Sequence, residues 1–169
     1  DHIFERDGLL GRRLQSNLRD AHGVFPARPH PLPFRGNDPE YANRITKRDE
    51  YYLSTNSDGF RGTREFSEHP EEGVIRIGTI GDSITFGFGV ADDESYPAVL
   101  ESLLSEHGRY EVINAGVHSY DSSRGLRALR TRLLPYHPDI VTLCVGVNDS
   151  VSIPEHRELE EGQLRLSAR

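Results

Sequence analysis

Three short segments built around apolar, mostly β-branched residues punctuate the second half of the chain. They cover residues 74–80, 110–115 and 140–145. Runs of this length are typical of strands buried on both faces of a parallel sheet. Between them, residues 96–107 and 122–134 carry apolar side chains at helical spacing. The resulting order, β-α-β-α-β, predicts an α/β fold whose parallel strands are joined by right-handed crossovers.

The apolar positions of the two predicted helices define the faces that we expect to be buried. They are Val99, Leu100, Leu103 and Leu104 in the first helix, and Leu126, Leu129, Leu133 and Leu134 in the second. We expect the arginines of the second helix to lie mostly on its solvated side: Arg124, Arg127, Arg130 and Arg132. Cys144 falls within the third strand, where the simplest interpretation is a small buried hydrophobe.

The first 72 residues have a different character. They hold six of the ten prolines, four of them within residues 25–33, a density that central strands and helix interiors do not tolerate. We predict an extended, proline-rich arm over residues 1–72 that docks on a main domain over residues 73–169. Within the arm, residues 9–18 suggest a short helix and residues 51–55 an edge strand. The tail, residues 154–169, reads as a charged helix.

A small polar cluster follows each of the three predicted strands. Ser83 comes just after the first strand, Gly116 just after the second and Asn148 just after the third. The carboxyl ends of parallel strands meet at one edge of a sheet, which is where open α/β sheets bind their ligands. Taken singly, these residues have plainer explanations: a helix cap, a turn glycine and an asparagine that bonds its own loop. Taken as a set, they predict a catalytic crevice.

The three clusters read Gly-Asp-Ser-Ile-Thr, Asn-Ala-Gly and Gly-Val-Asn-Asp, in that order and about 30 residues apart. In this they resemble the first three motif blocks of the SGNH, or GDSL-type, serine esterase and lipase superfamily, over roughly residues 74–149. The resemblance implies a three-layer α/β/α sandwich of the flavodoxin-like SGNH type, with a five-stranded parallel sheet of which three strands are present. It also implies a Ser83 nucleophile, with an oxyanion hole made by the Ser83 amide, the Gly116 amide and the Asn148 side chain. The stretch 56–62 is similar to a lead-in of some bacterial members.

A serine hydroxyl needs a base to take its proton, and in this superfamily the base is a histidine in a late Asp-x-x-His motif. No Asp-x-x-His occurs in these 169 residues. We therefore expect the catalytic histidine and aspartate to lie beyond residue 169, and the chain alone to be inactive. His118 and His156 are weaker candidates for a substitute base, because neither has a carboxylate at a spacing that would orient its imidazole.

Composition narrows the classes of partner. The formal net charge of −7 disfavours nucleic acid, which favours a basic surface. No run is long and apolar enough to predict a membrane helix, no histidine or cysteine cluster has zinc spacing, and no cofactor is indicated. Arg61 is the residue of the arm best able to hold an anion, although a structural salt bridge is the plainer explanation.

Three functions remain open. The first is a serine hydrolase acting on acyl or acetyl esters of a small molecule or carbohydrate. The second is a non-catalytic relative that binds a carbohydrate or a protein partner and lacks the base. The third is a phosphate binder that uses the turn at residues 78–83, although this turn has no P-loop lysine and Asp82 would repel the anion. The sequence does not indicate the compartment or the oligomeric state.

Overall fold

A three-stranded parallel sheet forms the centre of the protein, which is described by a computed structural model covering residues 3–24 and 50–150. The strands in these ranges are β1 (Phe4–Asp7), β2 (Gly11–Leu14), β3 (Ala21–Val24), β4 (Glu50–Leu53), β5 (Ile75–Gly81), β6 (Tyr110–Asn114) and β7 (Ile140–Cys144). β5 is central, with β6 on one side and β7 on the other, and both pairings are parallel. The predicted α/β class with a parallel sheet is confirmed.

Within residues 3–24 and 50–150, three short α-helices follow strands or connect them. They are α1 (Ser83–Phe86), α2 (Tyr96–Leu104) and α3 (Ser122–Ala128). α3 runs directly into a π-helical turn, Leu129–Leu133, and then a 3₁₀ turn, Leu134–Tyr136. The second predicted helix is therefore present, but only its first half is regular. No helix within the described ranges is long and apolar enough to span a membrane.

Helices α2 and α3 lie on opposite faces of the sheet. The Tyr96 hydroxyl of α2 lies 3.3 Å from the hydroxyl of Thr142, which pairs with Thr79 of β5. At the adjacent position of β5, a Cβ on Gly78 would lie only 2.6 Å from Leu133, which belongs to the π-helical turn that continues α3 and covers the strand directly. Because successive strand residues face opposite sides, these contacts define two helical layers around one sheet. The three-layer α/β/α arrangement is confirmed for the described residues.

The N-terminal segment contributes to the same hydrophobic core as the sheet. Leu10, Leu14, Leu53 and Phe60 are almost completely buried and cluster with residues of β5 and β6 such as Ile80. The division of the chain at residue 72 stays a prediction, but the described parts on either side of it share apolar contacts.

The predicted helix at residues 9–18 is wrong, because β2 occupies this stretch and pairs with β1 as an antiparallel hairpin. Asp7 closes the turn, and its Oδ1 accepts hydrogen bonds from the amides of Leu9 and Leu10, both at 2.8 Å. These bonds, above all that of Leu10, hold the pKa of the Asp7 carboxyl below its usual value. Gly11 follows at φ +77°, where glycine is favoured. The edge strand expected at 51–55 is present as β4, although it begins and ends earlier.

Several burial predictions are also wrong. Val99 and Leu103 of α2 are 42% and 61% exposed, because the helix meets β6 with its other side. Leu126 and Leu134 are exposed too, whereas Leu133 is fully buried.

Cys144 is exposed rather than buried, because β7 forms an edge of the described sheet. Its neighbours Ile140, Val141 and Leu143 are exposed with it. The proline-rich stretch 25–33, the tail 154–169 and His156 lie outside the described residues.

Candidate active site

Ser83 lies at the carboxyl end of the central strand, as the first residue of α1. Asp82 caps the helix: its buried carboxylate accepts the Ile84 amide at 2.9 Å, and its own amide donates to the carbonyl of Cys144 in β7 at 3.2 Å. Asp82 therefore shapes the turn and leaves the half-buried Ser83 at the rim. As a first helical residue, Ser83 has an amide without an intrahelical acceptor.

The loop after β6 touches α1 backbone to backbone. A Cβ on Gly116 would lie 2.3 Å from the amide nitrogen of Phe86 and 2.6 Å from the carbonyl carbon of Thr85, so only glycine fits. The amide of Val117 also donates to the carbonyl of Gly81 at 3.0 Å. The second motif is thus held directly against the turn that carries Ser83.

The amide of Gly116 has an acceptor within its own motif. It donates to the side-chain oxygen of Asn114 at 3.1 Å, in a buried contact that bridges two residues. The other side-chain atom, Nδ2 of Asn114, is buried without a hydrogen-bond partner among the described residues. A buried, unpaired amide group is costly, so this asparagine side chain is a point of strain beside the crevice.

The third motif is tied to the loop that precedes α3. The Nδ2 of Asn148 donates to the carbonyl of Tyr120 at 2.9 Å, and the Asp149 carboxylate accepts bonds from the amide and hydroxyl of Ser122. An NH₂ group carries two N–H bonds, so one N–H of Asn148 remains to be used. Both predicted donors, Gly116 and Asn148, are thus at the strand exits as expected, and each already has one protein acceptor.

The sequence of the chain also matches the model of a known family. The model of the GDSL-like Lipase/Acylhydrolase family matches residues 79–166, just over half of the chain. The chain belongs to this family. The match begins in β5, just before Ser83, and spans all three motifs that the sequence singled out. The resemblance to SGNH and GDSL-type proteins is confirmed.

Curated relatives of this GDSL-like chain are esterases. It is 33% identical over 73 residues to an arylesterase of Vibrio mimicus, covering 43% of the chain and 36% of that protein. It is 32% identical over 73 residues to esterase TesA of Pseudomonas aeruginosa, with the same coverage of 43% and 36%. An acetylxylan esterase of Xylanibacter ruminicola is 35% identical over 89 residues, 48% of the chain and 18% of that protein. The chain thus spans well under half the length of these relatives.

One solved structure that is similar to this chain is that of AlinE4, an SGNH-hydrolase family esterase. The sequence identity is 30%, the TM-score is 0.43, and the likeness covers 62% of this chain and 57% of that one.

His118, considered above as a substitute base, lies near the first motif of this GDSL-like chain, but its side chain contacts Ser119 and two phenylalanines. Its Nδ1 lies 2.5 Å from the hydroxyl of Ser119, and its ring packs edge-on against Phe88 and Phe4. Burial lowers the pKa of His118 below its usual value, the charge of Arg12 lowers it further, and Asp82 raises it in part. The net effect favours the neutral imidazole.

Arg61 is a residue whose role the sequence left between anion binding and a salt bridge, and the salt bridge is present. Its fully buried guanidinium binds Asp92 at 2.9 Å and the carbonyls of Phe86 and Gly87, both at 2.5 Å. It thus fixes the end of α1, three to four residues after Ser83. Arg132, predicted to be solvated, instead donates to the carbonyl of Asp58.

A cavity of about 320 Å³ lies between the N-terminal hairpin and the segment that follows β6. It is lined by Gly11 and Arg12 from the N-terminal hairpin and by Ser119 and Arg124. Sequence reasoning did not place the hairpin here, because the two short strands are polar and lack the alternation that would reveal them. The turn glycines at 8 and 11 were the only local signal.

Proposed function

We propose that this chain carries the nucleophile and the oxyanion donors of a serine ester hydrolase. The observation that supports it best is the meeting of three motif loops at one edge of the sheet, with Ser83 at the exit of the central strand and Gly116 and Asn148 at the exits of its two neighbours. This is the point where the strand order reverses, the preferred ligand position of open α/β sheets. The esterase relatives support the same chemistry.

In the proposed reaction, Ser83 Oγ attacks the ester carbonyl carbon while a base takes the hydroxyl proton. The carbonyl oxygen becomes an oxyanion, which accepts hydrogen bonds from the Ser83 amide, the Gly116 amide and Asn148 Nδ2. Collapse of this intermediate expels the alcohol, which leaves with the proton, and water then hydrolyses the acyl-serine. Each well-placed donor contributes about 3–4 kcal/mol to such a transition state.

The two predicted donors need different adjustments. Asn148 offers its second N–H while it keeps Tyr120, whereas Gly116 must share or leave the side-chain oxygen of Asn114. Rotation of the Asn114 side chain would free the Gly116 amide and move the unpaired Nδ2. We therefore propose that Asn114 is a positioning residue that holds the Gly116 amide until substrate arrives.

The base is proposed to come from outside the described residues. The lowered pKa of His118 favours the neutral form that a base needs, but its contacts are with Ser119 and two phenylalanines rather than with Ser83. The substrate class that fits the relatives is an acyl or acetyl ester of a small molecule or carbohydrate, with no cofactor taking part.

The alternative is a relative that binds a carbohydrate or protein partner without catalysis. It is favoured by one observation, since the Gly116 amide and the Asn148 side chain each bond to an acceptor of the protein itself. A binding protein stabilises no oxyanion, so neither of these two hydrogen bonds would have to break.

The two functions are separated by labelling the complete protein product of the gene with a fluorophosphonate probe and assaying 4-nitrophenyl acetate. We expect Ser83→Ala to abolish both signals, and Ser102→Ala, at an exposed position of α2, to leave them unchanged. Undiminished turnover in Ser83→Ala would overturn the assignment. A folded wild-type protein with neither labelling nor turnover would favour the binding alternative.

A further inference from the structure

Three side chains with metal-ligating atoms meet at the end of the sheet opposite to Ser83. Glu68 and His69 lie in the segment that leads into β5, and His137 lies in the segment that leads into β7. We propose that they form a binding site for one divalent transition-metal ion of the zinc type. Two imidazoles and one carboxylate are a donor set that suits zinc, with water as a fourth ligand.

The distances allow coordination by side-chain rotation alone. One ligand atom from each residue lies within 4.8 Å of the other two. Zinc bound at about 2.0–2.1 Å in a tetrahedron separates its ligand atoms by roughly 3.4 Å, so each pair must close by roughly 1.4 Å at most. The imidazoles of His69 and His137 are already stacked, with ring centroids 4.2 Å apart and planes 18° apart. All three side chains are exposed, so the main contact that must change on rotation is the stacking of the two imidazoles on each other.

A buried arginine holds the two backbone segments at this spacing. Arg76 of β5 is completely buried and donates to the carbonyls of Ser67 at 2.7 Å, Glu68 at 3.2 Å and Tyr136 at 2.7 Å. Its charge is paired with Glu111 at 2.7 Å. Residues 67–68 and residue 136 are thus bound to one guanidinium, so the backbone of the proposed ligands is fixed before any ion binds. Preorganised ligands of this kind lower the cost of binding.

The site is separate from the proposed catalytic crevice. The cluster lies before the first residue of β5, whereas Ser83 follows its last, and a strand of seven residues spans about 23 Å. An ion bound there would cross-link the lead-in segment to the sheet, a structural role independent of ester hydrolysis. Sequence spacing could not reveal it, because His69 and His137 are far apart in the chain and neither stands in a Cys or His motif.

The test is titration of the complete, untagged protein with Zn²⁺ by calorimetry. We expect one ion per chain at this site, and a rise in Tm of about 5–10 °C at a hundredfold excess over Kd. His69→Ala and Glu68→Gln should weaken binding at least tenfold. His137→Asn should do the same while tolerating the left-handed backbone at φ +48°. His107→Ala, at an exposed histidine outside the cluster, is the matched control.

Binding that is unaffected by the three cluster variants, or equally weakened by His107→Ala, would overturn the proposal, and so would the absence of binding at this site. Ser83→Ala should bind Zn²⁺ like the wild type, so this outcome is independent of the proposed esterase activity. Circular dichroism of each variant separates a lost ligand from a lost fold.

Discussion

Arg61 is a buried side chain whose removal should lower the stability of the protein strongly. Its guanidinium is 1% exposed and donates to the Asp92 carboxylate, to the carbonyls of Phe86 and Gly87, and to the carbonyl of Val90 at 2.6 Å. It also lies over the Phe86 ring, 4.9 Å from the centroid. Arg61→Ala would remove the guanidinium donor from three carbonyls, of which that of Gly87 keeps the Val90 amide at 3.3 Å, and would leave a half-buried carboxylate without its charge partner.

We estimate the loss in free energy of unfolding from the breaking of a buried ion pair rather than from the number of hydrogen bonds lost. Removal of one partner of a buried ion pair costs about 3–5 kcal/mol. Water entering the vacated space would satisfy some of the carbonyls, so their individual penalties do not add. For a chain of this size, that loss corresponds to a Tm lower by about 10 °C or more. Arg61→Lys keeps the charge but not the planar fork, and should lose an intermediate amount.

Urea denaturation followed by circular dichroism measures this free energy of unfolding. The matched control is Arg109→Ala, which removes an exposed ion pair with Glu71 and should cost below about 1 kcal/mol. An Arg61→Ala variant no less stable than this control would refute the reasoning. If the variant folds, slower fluorophosphonate labelling of Ser83 would show that Arg61 positions α1.

Two further predictions concern the crevice. Gly116→Ala places a Cβ 2.3 Å from the Phe86 amide. We therefore expect it to lower the free energy of unfolding by about 1–3 kcal/mol and kcat by about a hundredfold. Gly8→Ala is the control, because it has open space around its Cβ and should change neither quantity. His118 has a lowered pKa in the folded state, so the unfolded chain takes up a proton first on acidification, and stability should fall as the pH drops below about 6.5. His118→Gln should flatten that slope in urea titrations between pH 7 and pH 5, and an unchanged slope would contradict the burial of the imidazole.

The strands and their exits could be predicted because they depend on local composition. β5 is rich in β-branched residues, and its exit residues must be small and polar to make the turn to α1. Ser83, Gly116 and Asn148 were therefore found at their structural positions from the chain alone. The predictions failed where tertiary contacts decide, as at Val99 and Leu103, whose helical spacing marks a face but not which element covers it.

Contacts between distant segments could not be predicted from the sequence for the same reason. The β1–β2 hairpin is polar, and its burial comes from Leu10 and Leu14 meeting a core formed later in the chain. Arg61 looks like any arginine of a loop until the carbonyls after α1 surround it. Glu68, His69 and His137 carry no motif, and only the fold brings them together.

The contact between the hairpin and the sheet sets an order of events during synthesis. The Tyr120 hydroxyl donates to the carbonyl of Arg12 at 2.8 Å, across 108 residues of chain. At about 5–20 residues per second, a ribosome needs roughly 5–20 s to make the intervening segment. The nascent hairpin must wait that long before Tyr120 exists to complete its contacts, although Leu53 and Phe60 of the same core are made earlier. Such long-range closure is intrinsically slow, so the early-made segment is the last to be locked in place.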